Sequence, residues 1–188
     1  FTSACYYSYF NVDFDALIDN LTGKALKHDL DDSADRENAK KSACHAIVGL
    51  IKAAIFERPT GKFNSMATPS LPTLLLVEVR DSHVAVGYAD AFAKPVDPKN
   101  EERQSDTGQV QRVDLRIESG KRLIQEANRV RKAFGRTARY RLSFSGGHDF
   151  GVILDTTQDD HAFAAESVED LVKQLRVALA CPDEKSDA

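Results

Sequence analysis

The sequence predicts an α+β fold, and three observations point to it. Several stretches repeat apolar residues at helical spacing, several shorter runs are rich in aliphatic and aromatic residues, and Gly or Pro residues separate them. With 188 residues, of which 42% are hydrophobic and 29% charged, the chain can bury a core of its own. This composition excludes a disordered chain and a collagen-like repeat.

The first part of the chain predicts a strand and two helices. Residues 5–12 are rich in Tyr and Phe and predict the strand. Asp13 is suited to cap a short helix that Gly23 ends. A longer helix is capped at one of residues 31–33 and runs to about residue 56. The apolar stripe of this second helix consists of Ala43, Ile47, Leu50, Ile51, Ala54 and Ile55.

The middle of the chain predicts a loop, a buried strand and a further helix. Residues 57–72 contain three prolines and form the loop. Residues 73–79 are a nearly continuous apolar run that fits a buried strand, with 84–88 as its partner. The helix that follows is ended by Gly135, and its apolar residues are Leu123, Ala127, Val130 and Phe134.

The last part of the chain predicts a hairpin and a final helix. Residues 139–144 alternate between apolar and polar side chains, and 150–154 return as a second strand after a Ser-Gly-Gly turn. Ser167 is placed to cap the final helix, with Asp170 at the third helical position.

The charge is unevenly distributed along the chain. The net charge of −4 argues by itself against a nucleic-acid binder. However, residues 99–141 carry 12 Lys and Arg against 6 Asp and Glu, whereas residues 142–188 carry 3 against 10. The average therefore conceals a basic segment, which is more informative than the total. We expect a mobile charged segment at about 97–111.

The cysteines and the hydropathy predict a cytoplasmic protein. The chain has an odd number of cysteines, which are widely spaced and lack zinc-ligand spacing: Cys5, Cys44 and Cys181. We therefore expect three free thiols. No apolar run approaches the length of a membrane span, so no membrane contact is expected.

A glycine-containing loop between the second helix and the first buried strand is a candidate phosphate-binding site. It combines two cations, a glycine that allows close backbone approach and small polar donors, which suits an extended phosphate backbone. The alternative is a solvated surface loop. The loop residues are Arg58, Gly61, Lys62, Phe63, Asn64 and Ser65.

The basic helix is a second candidate. Arg122, Arg129, Lys132 and Arg136 lie on a face distinct from its apolar stripe. This face can bind phosphate, remain solvated, or contact acidic residues of a neighbouring chain.

A third candidate is a metal-dependent nuclease or hydrolase site formed by His148, Asp149, Asp159 and His161. These residues lack helix-spaced ligand motifs, and the alternative is that all four are solvated loop residues. The aromatic residues of 5–12 can stack bases, but packing within the protein is the favoured interpretation.

Three stretches in order resemble the CasC family, the backbone subunit of the type I-E CRISPR Cascade complex. They are residues 3–13 (SACYYSYFNVD), residues 59–67 (PTGKFNSMA) and residues 89–96 (ADAFAKPV), the last preceded by a buried strand. The resemblance covers residues 1 to about 97 well.

The resemblance implies a hand-shaped protein whose palm is a modified RNA-recognition-motif (ferredoxin-like) fold. Residues 1–188 would be the C-terminal half of a single palm-type domain. Copies stack along a guide RNA (crRNA) and present it for pairing with target DNA, together with other Cascade subunits. Such a subunit is not an enzyme and needs no cofactor or metal. Lys62, with Gly61, Phe63 and Asn64, matches the family loop that faces the guide, and Arg58 is a nearby cation.

Overall fold

The computed structural model has four helices and a three-stranded mixed sheet in its described residues, which confirms the α+β prediction. The described residues are 6–22, 33–57, 71–82, 84–96, 103–104, 110–111, 114–135, 138–152, 154 and 161–181. The helices are α1 (Phe14–Leu21), α2 (Ser33–Phe56), α3 (Leu115–Phe134) and α4 (Val168–Ala178). The strands are β1 (Leu75–Val79), β2 (Arg103–Gln104), β3 (Val110–Gln111), β4 (Tyr140–Phe144) and β5 (His161–Ala165).

The main sheet has the strand order β1-β4-β5, with β4 in the centre. β1 pairs with β4 antiparallel, so that Glu78 lies opposite Arg141 and Val79 opposite Tyr140. β5 pairs with β4 in parallel, which places His161 beside Tyr140. Because side chains alternate along a strand, residues 140 and 141 lie on opposite faces of this sheet. β2 and β3 form a separate two-stranded pair.

The chain divides into two compact units, and the first contains the sheet. It comprises Phe1–Phe10 with Thr73–Leu171. Its core is the apolar stripe of α3 packed with Tyr88, Phe150 and Leu154, against which Leu76 and Ala162 of the sheet also lie. The aromatic ring of Phe150 fills the space where a Cβ on Gly120 of α3 would stand, so this close approach requires glycine.

The second unit comprises Asn11–Pro72 with Val172–Ala188. Its core joins Ile18 of α1 to Ala39 and Ala43 of α2. A disulfide connects Cys44 of α2 to Cys181, with a Cα–Cα distance of 6.0 Å. The prediction of free thiols is therefore wrong for this pair, because residues 137 positions apart leave no trace of their proximity in the sequence.

The helix ends follow the predicted local chemistry. Asp13 caps α1 by accepting a hydrogen bond from the backbone N–H of Ala16 at 2.9 Å. Ser167 caps α4 by accepting from the N–H of Asp170 at 3.0 Å, while Asp170 accepts from the N–H of Glu166 at 3.3 Å. Gly135 ends α3 with a φ of 79°, a value that favours glycine.

Three predicted strands are wrong. The described residues 6–12 of the strand predicted at 5–12 form no strand, and neither do residues 84–88. Tyr7 instead packs its ring 5.3 Å from that of Phe92. The predicted return strand at 150–154 is also absent from its described residues, 150–152 and 154, because Phe150 turns into the core against α3. The partners of β4 are therefore β1 and β5, both distant in sequence.

The predicted apolar stripes of α2 and α3 each include a residue that is exposed. Phe134 at the end of α3 is 76% exposed, and Leu50 on α2 is also exposed. Val48 and Cys44 are buried on α2 instead. None of the helices in the described ranges combines the length and apolar character needed to cross a membrane.

Candidate functional site

The predicted phosphate-binding loop lies outside the described residues. α2 ends at Phe56 and β1 begins at Leu75, so the chain between them connects a helix to an edge strand of the sheet. The assignments to Arg58, Gly61, Lys62, Phe63, Asn64 and Ser65 remain predictions.

The predicted basic face of α3 has two different environments. Arg122 is half-buried and donates a 2.7 Å hydrogen bond to the carbonyl of Lys94, with Glu118 3.5 Å from its Nε. Arg129 is exposed and forms two hydrogen bonds with the carboxylate of Glu126, at 2.5 and 2.8 Å. The guanidinium of Arg129 therefore lowers the pKa of the Glu126 carboxyl group. Lys132 is exposed, and Arg136 lies outside the described residues.

The predicted metal-binding residues have other contacts in the described part of the chain. Asp149 accepts a 2.8 Å hydrogen bond from the N–H of Gly151, and the ring of His148 lies 6.4 Å from that of Phe150. His161 stacks on Tyr140. No three His, Cys, Asp or Glu residues within the described ranges are placed to hold a metal ion, and Asp159 lies outside these ranges.

The face of the sheet that packs on α3 carries a network of charged and polar groups. Arg141 is 1% exposed, and its Nε donates a 3.2 Å hydrogen bond to Glu78, its cross-strand neighbour. Its Nη2 reaches the side-chain oxygen of Asn128 on α3 at 3.4 Å. Arg80 forms a salt bridge with the same Glu78 carboxylate. We call Glu78, Arg80, Tyr88, Asn128 and Arg141 the buried network.

Tyr88 connects the buried network to the start of the described chain. Its hydroxyl lies 2.8 and 2.9 Å from the two carboxylate oxygens of Glu78, and its backbone N–H donates to the hydroxyl of Tyr7 at 3.0 Å. Burial, reinforced by the charge of Glu78, raises the pKa of the Tyr88 phenol far above its ordinary value. The phenol therefore stays protonated, as a donor to this carboxylate requires.

The opposite face of the sheet carries a row of stacked rings where β4 and β5 begin. The rings of Tyr140 and His161 lie 4.8 Å apart with an interplanar angle of 21°. The rings of His161 and Phe163 lie 6.4 Å apart with an angle of 15°. His161 and Phe163 are exposed, and the guanidinium of Arg139 lies 5.5 Å from the centre of the Tyr140 ring. We call Tyr140, His161 and Phe163 the aromatic row.

Comparison with known protein families shows the family of this chain. The family described as CT1975-like protein, a family of CRISPR-associated proteins, matches residues 1–174. The chain belongs to the CT1975-like family. The match includes the whole sheet, α3 and most of α4, and therefore both the buried network and the aromatic row. No curated protein sequence matches this CT1975-like chain.

Neither of the two clusters of this CT1975-like chain is predicted from its sequence. Arg141 lies within the predicted basic segment at 99–141, and His161 is one of the candidate metal ligands. One signal was available for the buried network: Glu78 interrupts an apolar strand, and a charge on a buried strand requires a partner. The aromatic row depends on the pairing of β4 with β5, which the sequence does not reveal.

Proposed function

We propose that this chain belongs to a non-catalytic backbone subunit that holds the guide RNA of a CRISPR interference complex. The observation that carries the proposal is the CT1975-like family match over residues 1–174. The finer assignment to the CasC subunit of a type I-E Cascade complex comes from the three ordered motifs at residues 3–13, 59–67 and 89–96.

The described fold supports this proposal in one respect. A mixed sheet with α3 packed on one face leaves exposed aromatic side chains at one end of its other face. This arrangement is compatible with the RNA-recognition-motif palm that the resemblance implies, in which a sheet presents rings to RNA.

In the proposed mechanism the protein holds the sugar–phosphate backbone, and base pairing reads the sequence. This division of labour is general in RNA-guided recognition, where the protein recognises shape and charge and the guide selects the target. Lys62 and Arg58 would contact phosphates, and the glycine at position 61 would allow the backbone to approach them. The partners would be crRNA, further copies of the protein, other Cascade subunits and, through the guide, target DNA. The complex would act in the cytoplasm.

The test is the affinity of the full-length protein, in its assembled complex, for guide RNA at several salt concentrations. Replacing both Arg58 and Lys62 with Ala removes two proposed phosphate contacts. We expect weaker binding and a salt dependence of log affinity that is shallower by about 1.4, since each phosphate contact on a single strand contributes about 0.7.

The matched control replaces two exposed lysines, Lys52 on α2 and Lys173 on α4, and so changes the net charge equally. This control should retain the original affinity and slope. If the loop variant also retains both, the assignment of the loop to the phosphates is wrong.

A further inference from the structure

We propose that the aromatic row is a stacking surface for an unpaired nucleobase of single-stranded RNA, with Arg139 beside it for the adjoining phosphate. This inference rests on the proposed function for the identity of the polymer. It names a specific base contact on the sheet, beside the phosphate contacts predicted for the loop at 58–65.

The geometry of the aromatic row suits a stacked base. The row is built on two paired strands, because Tyr140 and His161 are register partners and Phe163 follows His161 on the same face. Interplanar angles of 15° and 21° mean that the three rings present nearly parallel planes. A further flat ring can continue such a stack without any rearrangement of the backbone, and bases stack on protein rings in this way.

Two rings of the aromatic row are exposed, unlike the rings in the core of the same unit. The other ring-bearing residues of this unit that lie in its core, Tyr88 and Phe150, are 5% and 6% exposed. Phe163 is 39% exposed, and His161 is also exposed. Two adjacent exposed rings on a sheet indicate a binding surface more strongly than a single exposed apolar residue does.

A positive charge lies beside the aromatic row. Arg139 lies against Tyr140, and its side chain is 53% exposed. Its ion pair with Asp81 has an N–O distance of 4.0 Å, and an exposed pair of this kind contributes little. Arg139 can therefore turn to a phosphate at small cost while the rings accept the base. A partner with flat rings and a negative backbone fits this surface, and an acidic peptide supplies only the charge.

The experiment measures the affinity of the full-length assembled protein for three strands of equal length: single-stranded RNA, an abasic strand with the same phosphates, and a duplex. The test variant is His161→Ala with Phe163→Ala. We expect its affinity for single-stranded RNA to fall at least about fivefold, as is typical when a stacking ring is removed. Its affinity for the abasic strand and the duplex should not change.

The matched control is His45→Ala with Phe134→Ala, which removes one exposed His and one exposed Phe elsewhere on the chain. This control should bind all three strands as the unaltered protein does. Thermal unfolding checks that the test variant is folded. If it is not, Phe163→Leu keeps the apolar volume but removes the ring, and the same loss is expected. Phe163→Tyr keeps a ring and should retain the affinity.

The outcomes separate this inference from the proposed function. If the unaltered protein binds single-stranded RNA and the test variant binds it equally well, the stacking surface is refuted and the proposed function stands. An equal loss for the abasic strand also refutes stacking, since that strand has no bases. If the unaltered protein does not bind RNA at all, the proposed function itself is refuted.

Discussion

The two faces of the central strand β4 differ in burial, although the residues compared are adjacent in sequence. On the face packed against α3, Arg141 is 1% exposed and is held by Glu78 and Asn128. On the other face, Tyr140 stacks with the exposed His161, beside an Arg139 side chain that is 53% exposed. The charge of Arg141 is paired with Glu78 inside the protein, whereas the groups beside Tyr140 face solvent.

This contrast shows that a basic segment in a sequence does not locate a binding surface by itself. Arg139 and Arg141 belong to the same basic segment of 99–141 and are two residues apart. Only one of them is available to a ligand, because a buried arginine must keep its carboxylate partner or leave an uncompensated charge in the core. Burial therefore has to be known before charge can be assigned to function.

The largest expected effect comes from removing the buried guanidinium. Replacing Arg141 with Met leaves the Glu78 carboxylate buried with less positive charge around it. We expect the free energy of unfolding to fall by roughly 3–5 kcal/mol, measured by urea denaturation. The matched control is Arg139→Met, the same substitution at an exposed position, which should cost less than about 1 kcal/mol.

A double variant tests whether the buried carboxylate of Glu78 causes this loss of stability. In the Arg141→Met variant the Glu78 carboxylate stays buried without Arg141. Adding Glu78→Gln removes that negative charge, so the free energy of unfolding should recover in part. Equal losses from Arg141→Met and Arg139→Met would contradict the distinction between the two faces.

The next effect is a pH dependence on the packed face. The pKa of Tyr88 is raised above its ordinary value of 10.0 by burial and by Glu78. Above pH 10 the phenol keeps its proton in the folded state, whereas the unfolded chain loses it. The contribution of Tyr88 to the free energy of unfolding is therefore full below pH 10 and is lost as the pH rises. We expect the free energy of unfolding to fall by up to about 1.4 kcal/mol per pH unit above pH 10.

The control for this prediction is Tyr88→Phe, which keeps the ring and removes the titrating group. The variant should be less stable at neutral pH, because it loses the hydrogen bond to Glu78, and its stability should decline less steeply above pH 10. Identical alkaline profiles for the two proteins would mean that Tyr88 does not titrate with folding.

The smallest effect on stability is expected at the aromatic row, the exposed end of the face that carries Tyr140. Replacing His161 with Ala removes a stacked ring pair at an exposed position, so we expect a loss of about 1 kcal/mol. The same denaturation experiment measures it. A loss as large as that of Arg141→Met would mean that the aromatic row holds the sheet together, which would weaken its assignment as a binding surface.

The sequence predicts the parts of this fold that depend on local chemistry. The helix ends at Asp13, Ser167 and Gly135 can be predicted, because a cap involves residues only a few positions apart. Apolar spacing likewise predicted α2 and α3, and apolar or alternating runs predicted β1 and β4.

The parts that could not be predicted depend on distant contacts. Glu78 meets Arg141 across 63 positions, and Cys44 meets Cys181 across 137. β4 pairs with β5 in place of the predicted hairpin partner at 150–154, where Phe150 is buried in the core against α3. The candidate site follows the same rule, since its rings come together only through that pairing.

The most direct test of the guide-RNA function is to recover the full-length protein from its native cells under gentle conditions. The ratio of absorbance at 260 and 280 nm is then measured, and any bound nucleic acid is sequenced. We expect a high ratio and short RNA molecules that carry CRISPR guide sequences, held in a complex with several copies of the protein. A ratio typical of protein alone, with no RNA recovered from an intact complex, would contradict the proposed function.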